Sequence, residues 1–469
     1  MKIALMLPPM TLEERYGKAI AKVAGTFPPL GLISLGTVLK HAGHDAFVLD
    51  GSRMDYARMR EILLERKPDI LGISGMTFVW SKVRTIMADI KKELPGICII
   101  MGGAHATMYA EKCFADSEHL DIIVYGEGET TIIELVDAIE NHKDKEPING
   151  ILYRDKGTLH RTPPRDIISD IDTLPIPDRS LVTIADYVPA FSQYRKLPVT
   201  NMFTTRGCPS RCRFCFPDVL GRKVRFRSPA SVIEEIIYLQ NTYHIREIAF
   251  WDDTFTVNRQ RVLEICRLIK GLKTPITWSA QARVDRIDAE LLKAMSDAGC
   301  WKLHFGLESM VQKNLDFLLK GTTVEQNRRA VIMTKESGIE VEASFILGTP
   351  GETYADGLKT IETARSLNID FARFFPLTPY GKLHQELQGS GTFITEDWDK
   401  YQGNCIVFVP HSMTQAELEK LLSLAYTKFY FRPGFIFKRL KKIMNPAAFA
   451  ANWRGAKAVY LLARKGFRS

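Results

Sequence analysis

The sequence lacks an apolar run long enough to span a bilayer, so it predicts no transmembrane helix. The run Ile3–Leu7 is too short for the apolar region of a signal peptide and stops at two prolines, so we expect a first strand and a cytoplasmic protein. Cysteines are few. Five of the eight are scattered, whereas three fall within eight residues, a clustering that favours metal binding over disulfides in this compartment.

Acidic residues are absent after Glu419, although twelve of the 63 lysines and arginines lie there. The first 419 residues therefore carry a net charge of −3, against +9 for the whole chain. From residue 426 onward, aromatic and aliphatic residues alternate with basic ones at helical spacing, which is typical of a helix at an anionic membrane surface. Nucleic acid is a second candidate partner, and a helical cap with a solvated basic face is the third alternative. We favour peripheral membrane contact through 426–469.

Short apolar runs alternate with amphipathic stretches in the first 143 residues. Strands are predicted at Lys2–Leu7, Asp45–Leu49, Ile70–Ser74, Ile97–Met101 and Ile122–Tyr125. Helices are predicted at Gly31–Ala42, Tyr56–Arg66, Val79–Leu94 and Glu129–Asn141. This alternation indicates a Rossmann-like parallel sheet with helices on both faces, whose ligands bind at the carboxyl ends of the strands.

The remaining chain divides into three parts. Residues 144–195 are proline-rich and poorly periodic, which predicts a surface linker with a short hairpin at Gly150–Leu159. Residues 196–390 contain six further strand–helix units, among them a helix predicted at Pro229–Tyr243 and a strand predicted at Lys302–Gly306. These units fit a partial (β/α)6 barrel with its active site at the C-terminal rim. Residues 391–469 are predicted to be a helical region that ends in the basic amphipathic tail. The fold class is α/β.

The three clustered cysteines, Cys208, Cys212 and Cys215, have the spacing C-x3-C-x2-C and follow the first barrel strand. Thiolates suit iron–sulfur clusters, and three of them leave one iron of a four-iron cluster free for catalysis. The alternative is a structural zinc site, which would normally have a fourth cysteine or histidine nearby. No such residue occurs nearby, so we predict a [4Fe–4S] cluster.

A C-x3-C-x-Phe-C motif in this place resembles the radical S-adenosylmethionine superfamily. The resemblance implies that the open iron binds S-adenosyl-L-methionine, which is cleaved to a 5′-deoxyadenosyl radical that abstracts hydrogen from substrate. It also implies an external electron donor such as flavodoxin or ferredoxin. The residues that match cofactor-binding positions of the superfamily are Phe214, Asp252, Asp253, Thr254, Gln281, Arg283, Glu308, Ser309, Leu347 and Gly348. Asp252-Asp253-Thr254 replaces the usual Gly-Gly-Glu, a variant similar to the cobalamin-associated branch.

The first 143 residues resemble the cobalamin-binding domain that precedes the barrel in that branch. The resemblance suggests Ser74, Gly102, Gly103, His105, Gly126 and Glu127 as cobalamin contacts. One feature departs from histidine-ligating cobalamin proteins, because none of the ten histidines lies in an Asp-x-His-x-x-Gly motif. This motif therefore cannot supply a lower ligand to cobalt. The alternative is a domain that serves only packing or substrate binding.

The group most similar to this sequence contains anaerobic magnesium-protoporphyrin monomethyl ester cyclase, hopanoid-modifying enzymes and class B methylases. The resemblance implies modification of an unactivated carbon of a hydrophobic biosynthetic intermediate, by cobalamin-dependent C-methylation or by oxidative cyclisation or rearrangement. Transfer RNA methylthiolation is disfavoured, because relatives of that type carry an additional cysteine trio and only Cys98 and Cys113 occur in this N-terminal domain. A cofactor-binding sensor without catalysis is a further alternative.

Overall fold

The computed structural model describes residues 1–15, 25–190 and 192–435. The N-terminal unit contains the strands β1 (Lys2–Leu7), β2 (Asp45–Asp50), β3 (Ile70–Ser74), β4 (Cys98–Gly102), β5 (Ile122–Val124), β6 (Ile151–Asp155) and β7 (Thr158–Arg161). Its helices are α1 (Leu30–His41), α2 (Tyr56–Arg66), α3 (Trp80–Glu93), α4 (Ala104–Met108), α5 (Ala110–Asp116) and α6 (Glu129–Glu140).

These strands form one sheet in the order β2-β1-β3-β4-β5-β6-β7, and the first five are parallel. Ile3 and Leu5 of β1 pack into the core on one face, and Ala4 and Met6 pack into the core on the other. Burial on both faces explains why the strands are continuous apolar runs. In sheets of this order, ligands bind where neighbouring connections leave in opposite directions, here outside the carboxyl ends of β1 and β3.

Several residues of the segment predicted as a surface linker are buried. Its hairpin, β6 and β7, continues the N-terminal sheet by antiparallel pairing with β5. Beyond the hairpin, Ile171 and Tyr187 are nearly inaccessible and the side chain of Arg179 is fully buried. The proline-rich pattern correctly indicates irregular backbone, but it carries no information on burial. The prediction of a surface position is wrong for these residues, because they pack between the two α/β units.

The second unit is an open barrel. Its strands are β8 (Val199–Met202), β9 (Thr205–Arg206), β10 (Arg225–Phe226), β11 (Glu247–Phe250), β12 (Thr277–Ala282), β13 (Cys300–Glu308), β14 (Glu340–Leu347) and β15 (Phe371–Pro376). Its helices are α7 (Pro229–Tyr243), α8 (Arg259–Lys270), α9 (Ala289–Asp297), α10 (Gln312–Phe317), α11 (Val324–Glu336) and α12 (Tyr354–Ser366). Six parallel strands pair in the order β15-β14-β13-β12-β11-β8. The predicted α/β class and six-stranded partial barrel are confirmed.

The chain after the barrel contains α13 (Gly381–Glu386), β16 (Gly391–Phe393), β17 (Phe408–Pro410) and α14 (Gln415–Tyr430). The helical prediction for 391–469 is wrong at its start, because β16 and β17 form an antiparallel hairpin. The rings of Phe393 and Phe408 lie 5.2 Å apart across this hairpin, and Phe408 is fully buried. Aromatic residues on paired strands stabilise such short pairings.

The described start of the predicted membrane segment is instead a cap on the barrel. The Tyr426 hydroxyl bonds Phe374 and the Tyr430 hydroxyl bonds Ala372, both in β15, and Phe429 is fully buried. The membrane prediction is therefore wrong for these residues, and for 436–469 it lies outside the described residues. In the ranges that the structure describes, no helix is both long and apolar enough to cross a bilayer.

Candidate functional site

The cysteine loop leaves the barrel between β9 and β10, which pair antiparallel at its base with Arg206 opposite Arg225. Gly207 enters the loop with a φ of +88°, a left-handed conformation that favours glycine. A Cβ there would lie 2.5 Å from the Lys223 carbonyl oxygen, so the two arms of the loop approach closely only because the residue has no side chain. The amide of Cys208 then donates to the Gly221 carbonyl at 3.3 Å.

The three thiols share one environment, in which Cys212 is buried, Cys208 half-buried and Cys215 exposed. Although Cys215 is exposed, desolvation by the surrounding protein, followed by the charges of Asp253, Cys212 and Cys208, raises the pKa of its thiol to about 11. In the described parts of the chain, no three histidine, cysteine or acidic side chains meet closely enough to hold a single metal ion. A four-iron cluster holds its thiolates on separate iron atoms, so it does not require the thiols to meet at one point. The chemistry of three neighbouring thiols fits that cluster.

Lys320 lies beside the cysteine loop and was not anticipated from the sequence. Its Nζ pairs with Glu308 Oε1 at 2.8 Å and lies 5.8 Å from the centre of the Phe214 ring. Its carbonyl accepts a hydrogen bond from Arg283 Nη2 at 3.0 Å. Glu308 thus has a charged partner, and no sequence motif around this lysine signals that pairing. Arg283 Nη1 lies 4.0 Å from the Cys212 sulfur. Arg283, a predicted contact of S-adenosyl-L-methionine, is therefore adjacent to the cysteine site.

The neighbouring aspartates after β11 have different environments. Asp252 is fully buried, and its carboxylate accepts hydrogen bonds from the Thr204 amide at 2.6 Å, the Thr204 hydroxyl at 2.5 Å and the Thr205 amide at 2.9 Å. Asp253 is exposed, yet desolvation by the surrounding protein raises the pKa of its carboxyl. Its carboxylate has no hydrogen-bond or ion-pair partner among the described residues, so it is available to a ligand. Thr254 is buried and bonds the carbonyl of Asp253.

The remaining predicted contacts of S-adenosyl-L-methionine also differ in whether their polar groups already have partners within the protein. Gln281 is partly exposed, and within the described ranges its amide makes no hydrogen bond. Ser309 is fully buried, and its hydroxyl accepts from Val311 and Asn314 at the turn after β13. The Leu347 side chain belongs to the barrel core, so only its backbone could face a ligand.

Gly348 begins a tight loop with a φ of +84° and donates its amide to Glu352 Oε2 at 2.7 Å. Glu352 also accepts from Thr349 and is fully buried. This glutamate holds the loop that contains the predicted contact Gly348.

Polar side chains from the central strands line the barrel interior, and sequence patterns did not reveal their pairing. His304 Nε2 lies 2.8 Å from Ser344 Oγ across β13 and β14, and desolvation lowers the pKa of His304 to about 4. Two residues earlier on the same two strands, Lys302 Nζ pairs with Glu342 at 2.6 Å. His304 and Ser344 retain accessible surface although they lie on central strands, so they border an internal space.

The carboxyl edge of the N-terminal sheet has room for a ligand. Gly126, with a φ of +78°, would place a Cβ more than 4 Å from any other atom, so open space lies above it. A Cβ at Gly102 would approach only the Val124 carbonyl, at 3.5 Å. At Gly103 it would meet the hydroxyl of Ser74 at 3.1 Å, so these two predicted positions are neighbours. The backbone at this edge fits close approach by a large planar group.

His105 has a packing environment. It is buried, and its Nδ1 lies 3.1 Å from the Thr77 hydroxyl. Its ring lies between Trp80 and Tyr109, at 5.0 and 5.1 Å between ring centres. Burial lowers its pKa to about 4, so the ring is neutral at physiological pH. The row of rings continues from Tyr109 to Trp398, at 5.2 Å.

Glu127 points toward the barrel, where its carboxylate pairs with Arg206 at 2.9 Å and Arg225 at 2.6 Å. Three aromatic side chains near this interface were not predicted as site residues. Phe27 packs edge-on against Trp251 at 5.0 Å, and Trp251 and Phe203 are each 38% exposed at the carboxyl ends of β11 and β8. Such exposed aromatic surface next to a cleft is typical of ligand contact.

Comparison with known proteins matches both units. The radical SAM superfamily is matched by residues 202–364, and the B12 binding domain by residues 17–136. The chain is 35% identical to an uncharacterized methyltransferase of Pyrococcus horikoshii, over 93% of this chain and 94% of that protein. It is 29% identical to the anaerobic magnesium-protoporphyrin IX monomethyl ester cyclase of Rubrivivax gelatinosus, over 91% of this chain and 78% of the cyclase.

The fold is similar to a solved structure of the radical S-adenosylmethionine methyltransferase TsrM from Kitasatospora setae, with cobalamin and a [4Fe–4S] cluster bound. The TM-score is 0.73 at 20% sequence identity, and the match covers 99% of this chain and 100% of that one. At this identity the likeness concerns the fold.

Proposed function

This chain belongs to the cobalamin-binding radical S-adenosylmethionine enzymes, and from that premise we propose that it catalyses cobalamin-dependent C-methylation of an unactivated carbon. The cofactors of an enzyme of this kind are a [4Fe–4S] cluster, S-adenosyl-L-methionine and cobalamin. When bound, they supply a radical able to abstract hydrogen from an inert C–H bond, and the methyl group to be transferred.

One observation carries the proposal, namely the contact between the ligand-binding edges of the two units. Glu127 follows β5 at the edge predicted for cobalamin, and Arg206 precedes Cys208 by two residues. Their ion pair brings the carboxyl edge of the N-terminal sheet beside the cysteine loop. Methyl transfer requires the methyl donor and the radical source to reach the same substrate carbon, and this contact supports such an arrangement.

Individual residues are proposed to hold the cofactors. Cys208, Cys212 and Cys215 would ligate the cluster, with Arg283 close to the buried thiol of Cys212. The unpaired carboxylate of Asp253 would bind the amino group of S-adenosyl-L-methionine, because a desolvated carboxylate favours a cationic partner.

Aromatic side chains at the rim support a hydrophobic substrate. Phe203 and Trp251 expose apolar surface beside the N-terminal unit, and removal of that surface from water favours apolar ligands. His304 and Ser344, further inside the barrel, could hydrogen-bond a polar group of the same molecule.

The experiment is product analysis after anaerobic reconstitution with iron, sulfide and cobalamin, in an extract that contains the substrate. We expect S-adenosylhomocysteine together with 5′-deoxyadenosine. Formation of 5′-deoxyadenosine without S-adenosylhomocysteine would instead indicate the second candidate, oxidative cyclisation or rearrangement, which the likeness to the cyclase favours. A variant with alanine at all three cysteines is the control, and it should bind no cluster iron and form neither product.

The proposed partners include an external electron donor, such as a flavodoxin or ferredoxin, because the cluster must be reduced. Contact with a membrane surface is kept as a hypothesis for 436–469 alone. Co-sedimentation of the full chain and of a chain ending at residue 435 with anionic liposomes tests it. Equal sedimentation of the two chains would exclude the tail as the membrane-binding segment.

A further inference from the structure

The two units are joined by a buried group of charges around Glu127. Arg206 Nη1 lies 2.9 Å from Glu127 Oε1, and Arg225 Nη1 lies 2.6 Å from Glu127 Oε2. Arg206 also pairs with Glu129, at the start of α6. The Ile168 amide donates to Glu127 Oε2 at 2.9 Å. One carboxylate of the N-terminal unit therefore binds two arginines of the barrel unit.

The burial of these groups makes the contact specific. The side chains of Glu127 and Arg225 are 3% and 2% exposed, and that of Arg206 is 15% exposed. A buried charge that loses its partner is strongly unfavourable, because it has neither water nor a counter-charge. Two carboxylates and two guanidinium groups balance one another here, so separation of the two units would leave charges of both signs uncompensated.

The two arginines occupy equivalent places on either side of the cysteine loop. They face each other across the antiparallel pair β9 and β10, which begins and closes the segment containing the three cysteines. Arg225 also donates to the carbonyls of Ile168 and Leu220, the latter within the loop itself. A displacement of these two side chains would therefore move both ends of the loop.

We propose that Glu127 is a positioning residue that fixes the cysteine loop against the cobalamin-binding domain, and so sets the distance and orientation between the two cofactors. The inference rests on the proposed function, since it takes the three cysteines as cluster ligands. It assigns Glu127 a role other than the direct cobalamin contact expected from the sequence. The carboxylate acts through the two arginines and touches no reacting atom.

The test replaces the charge without changing the shape, by Glu127→Gln in the full chain. Wild type and variant are reconstituted anaerobically with iron, sulfide and hydroxocobalamin, and the electron paramagnetic resonance of cob(II)alamin is recorded with the cluster oxidised and reduced. We expect the wild type to show a defined magnetic interaction between the two centres. The variant should lose or broaden that interaction while it retains wild-type iron and cobalt per chain.

Glu235→Gln is the matched control. Glu235 is also buried and binds two arginines, Arg179 at 3.0 Å and Arg227, but none of these three residues belongs to the N-terminal unit. A general loss of stability would affect both variants equally, whereas the proposal expects the magnetic interaction to survive in the control. If Glu127→Gln does not yield folded protein, Glu127→Asp is used, because it keeps the charge but shortens the reach of the carboxylate toward both arginines.

The proposal is overturned if the Glu127 variant that is used shows the same cob(II)alamin interaction as the wild type, or if the control loses it to the same extent. A wild-type protein that takes up no cluster iron would instead refute the proposed function. The two failures are therefore distinguishable in one set of samples.

Discussion

The pH dependence of stability should change when Glu352 is replaced by glutamine. This glutamate is fully buried below the loop that begins at Gly348. Its Oε2 accepts three hydrogen bonds, from the Gly348 amide and from the amide and hydroxyl of Thr349, whereas Oε1 has no partner among the described residues. Desolvation outweighs these hydrogen bonds and raises the pKa of the carboxyl from 4.5 to about 7.

A raised pKa means that the folded protein retains a proton that the unfolded chain releases between pH 4.5 and about 7. The free energy of unfolding therefore decreases as pH rises through this window. The shift corresponds to about 3 kcal/mol, at roughly 1.4 kcal/mol for each pH unit. Glutamine mimics the protonated acid, so Glu352→Gln should match the wild type below pH 4.5 and exceed its stability by about this amount at pH 8.

Urea unfolding of both proteins at intervals from pH 4 to pH 8 measures the difference between the two curves. Glu336→Gln is the control, because Glu336 is exposed at the end of α11 and should leave the pH profile of the wild type unchanged. Parallel curves for the wild type and Glu352→Gln would show that Glu352 remains ionised in the folded protein. The argument from desolvation would then be incorrect.

Three further predictions concern the cofactor site. Asp253→Asn should weaken binding of S-adenosyl-L-methionine in equilibrium dialysis by about ten- to hundredfold without lowering the melting temperature. Asp252→Asn should instead lower the free energy of unfolding by roughly 1–3 kcal/mol. The reverse pattern would exchange the roles of the two aspartates. His105→Phe should retain stoichiometric cobalamin, and loss of a nitrogen coupling from the cob(II)alamin resonance in this variant would show that the histidine is a cobalt ligand. Gly207→Ala should reduce cluster iron per chain, while Gly221→Ala, where the added Cβ meets no atom closer than 3.5 Å, should reduce it less.

The regular elements could be predicted where local signals and burial agree. Helix α7 is predicted to the residue because Ser228 caps its start, Pro229 occupies the first turn and His244 ends it in a left-handed conformation. Strand β13 is longer than predicted by two residues at each end. Its polar residues Lys302 and Glu308, which flank or begin the predicted apolar run, both have ion-pair partners inside the barrel.

The cysteine loop could be predicted because its spacing is a local property of the chain. The roles of Asp252 and Asp253 could not be distinguished, since two adjacent carboxylates differ only in what surrounds them after folding. Glu127 shows the same limitation over a longer range. Its partner Arg225 is 98 residues away in sequence, and only the packed structure brings them together.

The row of aromatic rings that passes through His105 also determines how freely the N-terminal unit can move. Trp398 and Gly381, beyond the barrel strands, contact Tyr109 of that unit by ring packing and by a 2.8 Å hydrogen bond. Segments that precede and follow the barrel in sequence thus both attach to the N-terminal unit. A hinge at one linker is therefore insufficient to release it, because the later attachment must open as well.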